Sequence, residues 1–141
     1  MRGIAHLCFV VADLERSAEF YRDKLGLRQA FELNLQEGKV KGLYFHVGGR
    51  TFIELFEGES APVPPEASYK HFCIEVADIE KTVAALRGRG VEVTDICTGQ
   101  DRSFQAWITD PDGNRIELHQ YTPESLQRAA MEQAAEEEEG D

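Results

Sequence analysis

The sequence predicts an α+β fold made of a βαβββ unit that occurs twice. Residues 6–17 (HLCFVVADLERS) align without a gap on residues 71–82 (HFCIEVADIEKT), with six identical positions. In both copies an apolar or alternating run, typical of a strand, leads into an Ala-Asp pair, after which apolar residues recur at helical spacing. Self-similarity of this kind indicates a duplicated architecture.

The same elements are predicted in the two copies. Asp13 and Asp78 are suited to cap a helix, since a short carboxylate accepts the free N–H groups of a first turn. Gly26 and Gly90 follow as helix stop signals. The strands predicted after the helices are 29–35, 42–47 and 51–56 in the first copy, and 91–96, 104–109 and 115–121 in the second.

These elements divide the chain into two modules and a tail. Module one covers 1–58 and module two covers 69–122. The segment 59–68 contains three prolines, which cannot continue a ladder, and it is predicted to be the linker. In the tail, 123–141, we expect a polar helix followed by a disordered acidic end.

Composition bounds the class of protein. The 141 residues are 42% hydrophobic, which suits one domain with its own core. No apolar run approaches the roughly 20 residues that span a bilayer, and no export signal precedes the first strand, so a cytoplasmic protein without a membrane partner is predicted. The net charge of −11 argues against nucleic acid as a partner. An odd count of cysteines, Cys8, Cys73 and Cys97, suggests free thiols packed in the core.

The repeat places one histidine and one glutamate at equivalent points in each copy. His6 lies in the first strand of module one and Glu54 in its last, 48 residues apart; His71 and Glu117 hold the same places in module two, 46 apart. Glu54 alternates with Phe52 and Phe56, and a carboxylate on such a face is costly unless it is paired or bound to a metal. The four residues therefore form a predicted metal site.

The ligand types limit the choice of metal. Two imidazoles and two carboxylates suit one divalent Ni, Co, Zn, Mn or Fe ion, whereas Mg²⁺ and Ca²⁺ prefer oxygen ligands alone. The two carboxylates also balance the charge of the ion. His119 lies two residues after Glu117, so it either contacts the ligands or the substrate or is simply a residue at a strand end. His46 has no counterpart in module two and is interpreted as structural.

Several motifs make the chain resemble the vicinal oxygen chelate superfamily, which includes glyoxalase I, bleomycin-resistance proteins and extradiol dioxygenases. The similarity covers about residues 3–122. The motifs are VADLERS at 11–17 with Phe20-Tyr21 and Leu25-Gly26-Leu27, and DPDGNRIEL at 110–118. The resemblance implies two βαβββ modules in a curved, barrel-like mixed sheet around a metal-containing cleft, and a homodimer as the assembly.

A full His, Glu, His, Glu set most resembles glyoxalase I-like metalloenzymes. The resemblance implies a lyase or isomerase that acts on a small α-hydroxycarbonyl, such as a hemithioacetal, through a metal-stabilised enediolate. Glu117 and Glu54 are the expected catalytic residues, with a slight preference for Glu117 as the base. No cofactor other than the metal is implied.

Two departures from bacterial glyoxalase I bear on the substrate. Val10 stands where an arginine commonly holds glutathione, and the acidic Glu57-Gly58-Glu59 follows Phe56. Both favour a small-molecule substrate other than a glutathione conjugate. The alternatives are a metal-dependent epimerase, an extradiol-type dioxygenase, an enzyme that opens an epoxide with thiol or water, and a metal-free drug-binding resistance protein.

Overall fold

The computed structural model describes residues 1–140, with Glu139 described by its backbone alone. The last residue of the predicted tail, Asp141, lies outside the described residues. The chain forms two compact units, each of which is described by itself. Unit 1 comprises Met1–Lys70 and Thr109–Asn114, and unit 2 comprises His71–Ile108 and Arg115–Asp141. The module boundaries given above stay a prediction.

Unit 1 contains a four-stranded mixed sheet in the order β1-β4-β3-β2. The first and last strands of the module pair in parallel, and the remaining pairs are antiparallel. The strands are β1 (His6–Val11), β2 (Arg28–Leu35), β3 (Val40–Gly48) and β4 (Thr51–Glu57).

The second module repeats this order as β5-β8-β7-β6, again with its first and last strands parallel. The strands are β5 (Phe72–Glu75), β6 (Cys97–Thr98), β7 (Phe104–Thr109) and β8 (Arg115–Gln120). The predicted duplication of a βαβββ unit is confirmed, and its mixed β-structure is present as two four-stranded sheets.

The helices begin and end at the predicted signals. Asp13 accepts a hydrogen bond from the N–H of Arg16 and caps α1 (Leu14–Ala18). Asp78 accepts the N–H of Lys81 in the same way at α2 (Ile79–Gly88). Gly26 and Gly90 follow with φ of 81° and 82°, a left-handed conformation that glycine adopts at low cost.

The first helix differs from the predicted regular helix. After Ala18 it continues as a π-helical segment, Glu19–Lys24, whose widened turn is closed by a bond from the N–H of Leu25 to the carbonyl of Phe20. The widening lets two successive aromatic side chains, Phe20 and Tyr21, both be buried. Regular helical spacing directs consecutive residues to different sides, so periodicity alone does not predict this segment.

The strand predicted over 91–96 is wrong. Regular strand pairing begins only at Cys97, and Thr94 shows the reason. Its backbone N–H donates to the carbonyl of Trp107, but the N–H of Trp107 donates to the Thr94 hydroxyl rather than to a backbone carbonyl. Arg87 binds the carbonyls of Val93 and Thr94 as well. The Thr94 hydroxyl and the Arg87 guanidinium thus bind backbone groups that would otherwise pair with a neighbouring strand.

The two faces of each sheet have different roles. On β4, Ile53 and Leu55 are fully buried, and on β8, Ile116 and Leu118 are equally enclosed. These residues face the helix of their own module, since α1 contacts β4 and α2 contacts β8. Because side chains alternate along a strand, the residues between them project from the opposite face. That opposite face carries both predicted glutamates.

The turn Asp110–Asn114 belongs to unit 1 and is organised by a buried aspartate. The carboxylate of Asp110 accepts a hydrogen bond from the hydroxyl of Tyr21 at 2.7 Å. It also accepts hydrogen bonds from the backbone N–H groups of Asp112 and Asn114 and from the side-chain amide of Asn114. Burial and the negative charge of Asp110 raise the pKa of Tyr21 well above its ordinary value. The tyrosine therefore stays protonated and can donate this bond at neutral pH.

The tail forms α3 (Leu126–Glu139), a helix that is longer than predicted. It includes the acidic run that was expected to be disordered. Alanine and glutamate have high helix propensity, and here they continue the helix without a break. Within residues 1–140, no helix has the length and apolar content needed to cross a bilayer.

We predict that Tyr21→Phe lowers the free energy of unfolding by about 2 kcal/mol, because a buried carboxylate loses one donor. Chemical denaturation measures the change. The matched control is Tyr69→Phe, which removes the hydroxyl of a more exposed tyrosine in unit 1 and should change the value by less than about 0.5 kcal/mol. Equal effects of the two variants would contradict the role of the Asp110 contact.

Candidate functional site

In unit 1, strand register brings the predicted histidine and glutamate together. The parallel pairing of β1 with β4 places His6 opposite Phe52 and Cys8 opposite Glu54. His6 and Glu54 are therefore diagonal neighbours on one face. The Nε2 atom of His6 lies 3.6 Å from Oε2 of Glu54.

Unit 2 repeats this arrangement. Cys73 is opposite Glu117 in the pairing of β5 with β8, and His71 immediately precedes β5. The Nε2 atom of His71 lies 3.2 Å from Oε2 of Glu117. The structure thus brings together one predicted imidazole and one predicted carboxylate within each unit.

In both pairs the glutamate side chain is more buried than the histidine side chain. The carboxylate side chains of Glu54 and Glu117 are 12% and 13% exposed, whereas the imidazoles of His6 and His71 are 46% and 36% exposed. A carboxylate enclosed to this degree needs a compensating partner. In each unit the imidazole supplies one such partner.

Each histidine rests edge-on against an aromatic ring from the strand beyond the one that carries its glutamate. His6 contacts Tyr44 of β3 with ring centroids 5.9 Å apart, and His71 contacts Trp107 of β7 at 4.7 Å. These rings limit the orientations that the imidazoles can take. These two aromatic residues were not identified from the sequence. They follow their histidines by 38 and 36 residues, a match as close as that of the two glutamates.

The cysteines are not core residues, contrary to the prediction. All three are exposed. Cys8 donates a hydrogen bond from Sγ to Oε1 of Glu54 at 3.4 Å, and burial together with this bond and the glutamate charge raises the pKa of Cys8. The Cys73 residue is exposed as a whole, but its thiol is partly desolvated by the surrounding groups. This desolvation, with the charges of Glu117 and other carboxylates, raises the pKa of Cys73 to about 12. Register explains both contacts, since each cysteine faces a glutamate.

His119 contacts the predicted ligand Glu117 directly. Its side chain is buried, and Nδ1 lies 3.2 Å from Oε1 of Glu117. Ligand atoms of Cys73, Glu117 and His119 also lie within 4.8 Å of one another, which makes them a second group in unit 2 that could hold a metal ion. The equivalent place in module one is taken by Phe56. The other uncertain histidine, His46, lies with Nε2 3.0 Å from the carbonyl of Gly49 in the β3–β4 turn, in line with its structural interpretation.

A cavity of about 710 Å³ opens beside these residues in unit 2. Its lining includes His71, Glu117, His119 and Trp107, together with Asp101 and Gln127. Gln127, at the start of α3, donates a hydrogen bond to Asp101. Burial opposes ionisation of Asp101, but the bonds from Gln127 and Ser103 outweigh it and hold the pKa of Asp101 below its ordinary value.

One family of known proteins matches most of the chain. Residues 3–118 match the Glyoxalase/Bleomycin resistance protein/Dioxygenase superfamily. The chain belongs to this superfamily. The resemblance predicted from the sequence motifs is therefore confirmed, and it accounts for the paired βαβββ modules.

Members of the superfamily that resemble this chain have diverse names. The uncharacterised protein YwkD of Bacillus subtilis (strain 168) is 31% identical over 131 residues, which cover 85% of this chain and 98% of that protein. Metallothiol transferase FosB of Staphylococcus epidermidis is 32% identical over 126 residues, 84% of each chain. A putative lactoylglutathione lyase of Brassica oleracea var. gemmifera is 30% identical over 135 residues, 89% of this chain and 47% of that protein.

Proposed function

We propose that the protein is a divalent-metal-dependent lyase or isomerase of the glyoxalase I-like type. Its substrate is a small α-hydroxycarbonyl compound, such as a hemithioacetal or a related oxygenated molecule. His6, Glu54, His71 and Glu117 hold the metal. The observation that carries the proposal is the recurrence of one His–Glu pair at equivalent strand positions in both modules.

The separation of the paired atoms supports metal binding. Imidazole and carboxylate ligands bind zinc-like ions at about 2.0 to 2.2 Å, so two ligands on one ion lie about 2.8 to 3.6 Å apart at angles of 90 to 109°. The Nε2–Oε2 distances of 3.6 Å for His6 with Glu54 and 3.2 Å for His71 with Glu117 fall in this range. The residues present therefore fit a borderline ion such as Ni, Co, Zn, Mn or Fe.

One pair alone is an incomplete site. Protein-bound zinc-like ions usually take at least three protein ligands, and each pair supplies two. We therefore propose that the two pairs share one ion, with the two glutamates balancing its charge. When bound, the ion supplies Lewis acidity, which lowers the pKa of a C–H bond next to the bound carbonyl.

One of the glutamates then moves the proton. From the sequence Glu117 is slightly preferred, but the hydrogen bonds of the two glutamates favour Glu54, and we propose Glu54 as the base. Oε1 of Glu117 accepts a bond from an imidazole at 3.2 Å, whereas Oε1 of Glu54 accepts from the thiol of Cys8 at 3.4 Å. A thiol is a weaker hydrogen-bond donor than an imidazole, so Glu54 is held less firmly and is freer to turn toward a substrate. Cys8 stays protonated at neutral pH because its pKa is raised, and it does not compete for the proton.

We predict that the purified protein binds about one divalent ion per chain and that His6→Ala and His71→Ala both lower this content at least about tenfold. Elemental analysis after gel filtration measures it. The matched control is His46→Ala, which removes the imidazole of the β3–β4 turn in unit 1. Full metal retention by both ligand variants would contradict the site.

A mixing experiment tests the proposed homodimer. If the pairs join across two chains, a heterodimer of His6→Ala with His71→Ala contains one intact site, so random mixing after mild unfolding restores about a quarter of the metal. If each site lies within one chain, every chain keeps one damaged pair and nothing is restored. Restoration of about a quarter of the metal would support sites shared between two chains, and no restoration would support sites formed within one chain.

We predict that the metal-loaded protein exchanges solvent deuterium into a carbon next to the carbonyl of its substrate. The test uses mass spectrometry and a panel of α-hydroxycarbonyls that includes hemithioacetals of methylglyoxal with small thiols. Chelation of the metal should abolish exchange, and Glu54→Gln should slow it by about 10² to 10⁴-fold, the usual contribution of a general base. No exchange with any member of the panel would count against proton transfer.

The similarity to FosB favours a second candidate, metal-dependent addition of a thiol to a small electrophile. FosB is 32% identical to this chain, and the putative lactoylglutathione lyase is 30% identical, so the two relatives are about equally similar to it. The buried carboxylate of Glu54 favours the first candidate, since addition of a thiol needs no base on the carbon skeleton. Formation of a thioether from an epoxide and a thiol, without deuterium exchange, would favour the second.

A further inference from the structure

A cavity of about 390 Å³ lies at one end of the sheet in unit 1, beside the start of β1 and the β3–β4 turn. It is lined by residues 2–5, Gly49, Arg50 and Phe52. Phe52 is the partner of His6 in the pairing of β1 with β4, so the cavity adjoins the first predicted metal ligand. Neither the duplicated ligand pattern nor the proposed function explains the residues that line it.

Hydrogen bonds hold together the two segments that form this cavity. The hydroxyl of Thr51 donates to the carbonyl of Ile4 at 2.8 Å, and the N–H of Phe52 donates to the carbonyl of Ala5 at 2.9 Å. These bonds continue the parallel pairing of β1 with β4 into the residues before β1. The start of the chain and the β3–β4 turn are therefore fixed at the same end of the sheet.

The two arginines of the lining stand at equal distances from the predicted ligands. Arg2 precedes His6 by four residues, and Arg50 precedes Glu54 by four. The equivalent places in module two hold an alanine and a glycine. This pair of arginines is therefore a feature of module one alone, and the duplicated metal site does not require it.

The positive charge of the cavity has no compensating partner. Among the described residues no aspartate or glutamate lines it, although the chain has 26 acidic residues against 15 basic ones. Within residues 1–140, neither Arg2 nor Arg50 makes an ion pair, whereas Arg16, Arg22 and Arg87 each pair with an aspartate. Two like charges at one cavity repel each other, and a bound anion would relieve this repulsion.

The residue type narrows the ligand to an oxyanion. A guanidinium group is planar, stays charged at physiological pH and offers N–H donors in a fork that matches a carboxylate or a phosphate. Arg2 and Arg50 are exposed, so a ligand can reach both of them. An ammonium group would be repelled, and a neutral hydroxyl would gain little from the charge.

The charges along β4 favour one orientation of an anionic substrate. Arg50 immediately precedes this strand, and Glu57 ends it. Glu54 lies between them on the sheet face that carries the predicted ligands. An anionic group is attracted to the first end of the strand and repelled from the second. A substrate whose carbonyl lies at Glu54 would therefore direct an oxyanion toward Arg50.

We propose that Arg2 and Arg50 bind an oxyanion group of the substrate, a phosphate or a carboxylate. Four residues of extended chain, about 13 Å, separate each arginine from its predicted ligand, so the oxyanion stands several bonds from the carbonyl. The α-hydroxycarbonyl part of this substrate rests on the proposed function. The oxyanion site rests on the cavity and its uncompensated charge.

Inorganic phosphate and succinate test the oxyanion site in metal-free protein, where neither probe can bind through the metal ion. At constant ionic strength, amide NMR spectra of isotope-labelled protein report both the affinity and the place of binding. We expect a dissociation constant of about 1 mM for the tighter probe, with the largest shifts at residues 3–5 and 49–52. The tighter probe identifies the oxyanion as a phosphate or a carboxylate.

Two variants assign this binding to the arginines. Arg2→Gln and Arg50→Gln should each weaken binding of the tighter probe at least about fivefold. The charge-matched control is Lys39→Gln, which removes an exposed cation of the β2–β3 turn, at the other end of β3, and should leave the affinity unchanged. Spectra without ligand show that each variant is folded. Absence of binding by both probes, shifts confined to other residues, or equal weakening by the control would overturn the site.

The metal-loaded protein tests whether the oxyanion belongs to the substrate. Ribulose and ribulose 5-phosphate carry the same α-hydroxyketone and differ in one phosphate; if succinate is the tighter probe, the 5-carboxylate takes the place of the phosphate. We expect kcat/KM for solvent deuterium exchange to be about tenfold higher for the anionic compound, and Arg50→Gln to reduce this ratio to about twofold or less.

The two experiments let this proposal and the proposed function fail separately. Binding at the arginines in metal-free protein supports the oxyanion site even if no compound exchanges deuterium, an outcome that would count against the proposed function. Exchange at equal rates with the neutral and the anionic compound would overturn the assignment of the oxyanion to the substrate.

Discussion

The parallel pairing of the first and last strands of each module is the constraint on which the candidate site depends. In a parallel pair the register that aligns Cys8 with Glu54, or Cys73 with Glu117, also brings the preceding histidine diagonally next to that glutamate. A slip of one residue would turn the glutamate toward the core face occupied by Ile53 and Leu55. The buried apolar residues on one face therefore hold the polar pair on the other.

The sequence is sufficient to predict this pairing because both of its signals repeat. His6 and His71 begin the same twelve-residue pattern, and the glutamates follow at nearly equal distances. Cap and stop residues are local signals as well, and Asp13, Asp78 and the two helix-ending glycines act as expected. These features depend on neighbouring residues or on the period of the chain, both of which can be seen in the sequence.

Other features depend on tertiary contacts that the sequence does not display. The hydroxyl of Thr94, rather than a backbone carbonyl, accepts the hydrogen bond from the N–H of Trp107. This interrupts strand pairing in a segment whose composition is typical of a strand. Cys8 and Cys73 look like core residues in apolar runs, yet each is exposed and lies opposite a glutamate on the sheet face that carries it. The contact of Gln127 with Asp101 could not be predicted either, because it joins residues 26 apart, one at the start of α3 and the other in the segment between β6 and β7.

The two modules differ on the sheet face that carries the glutamates, whereas the buried residues on the opposite face are equivalent in both. Phe56 follows Glu54 where His119 follows Glu117, and Tyr44 stands where Trp107 stands. In addition to its paired histidine, the first glutamate is thus bounded by aromatic rings and a weak thiol donor. The second has, in addition to its paired histidine, a further imidazole, that of His119, and further carboxylates nearby. Identical ligand types placed in unlike surroundings can take different tasks, because basicity follows hydrogen bonding and local charge.

The lining of the unit 2 cavity is not confined to the duplicated strands. Gln127 comes from α3, which lies outside the duplicated βαβββ unit, and Asp101 comes from the short segment between β6 and β7. Asp101 lies in a connecting segment, and such segments tolerate change better than paired strands do. Proteins with names as different as a lyase and a thiol transferase resemble this chain to a similar degree, so the shared modules alone do not fix the activity.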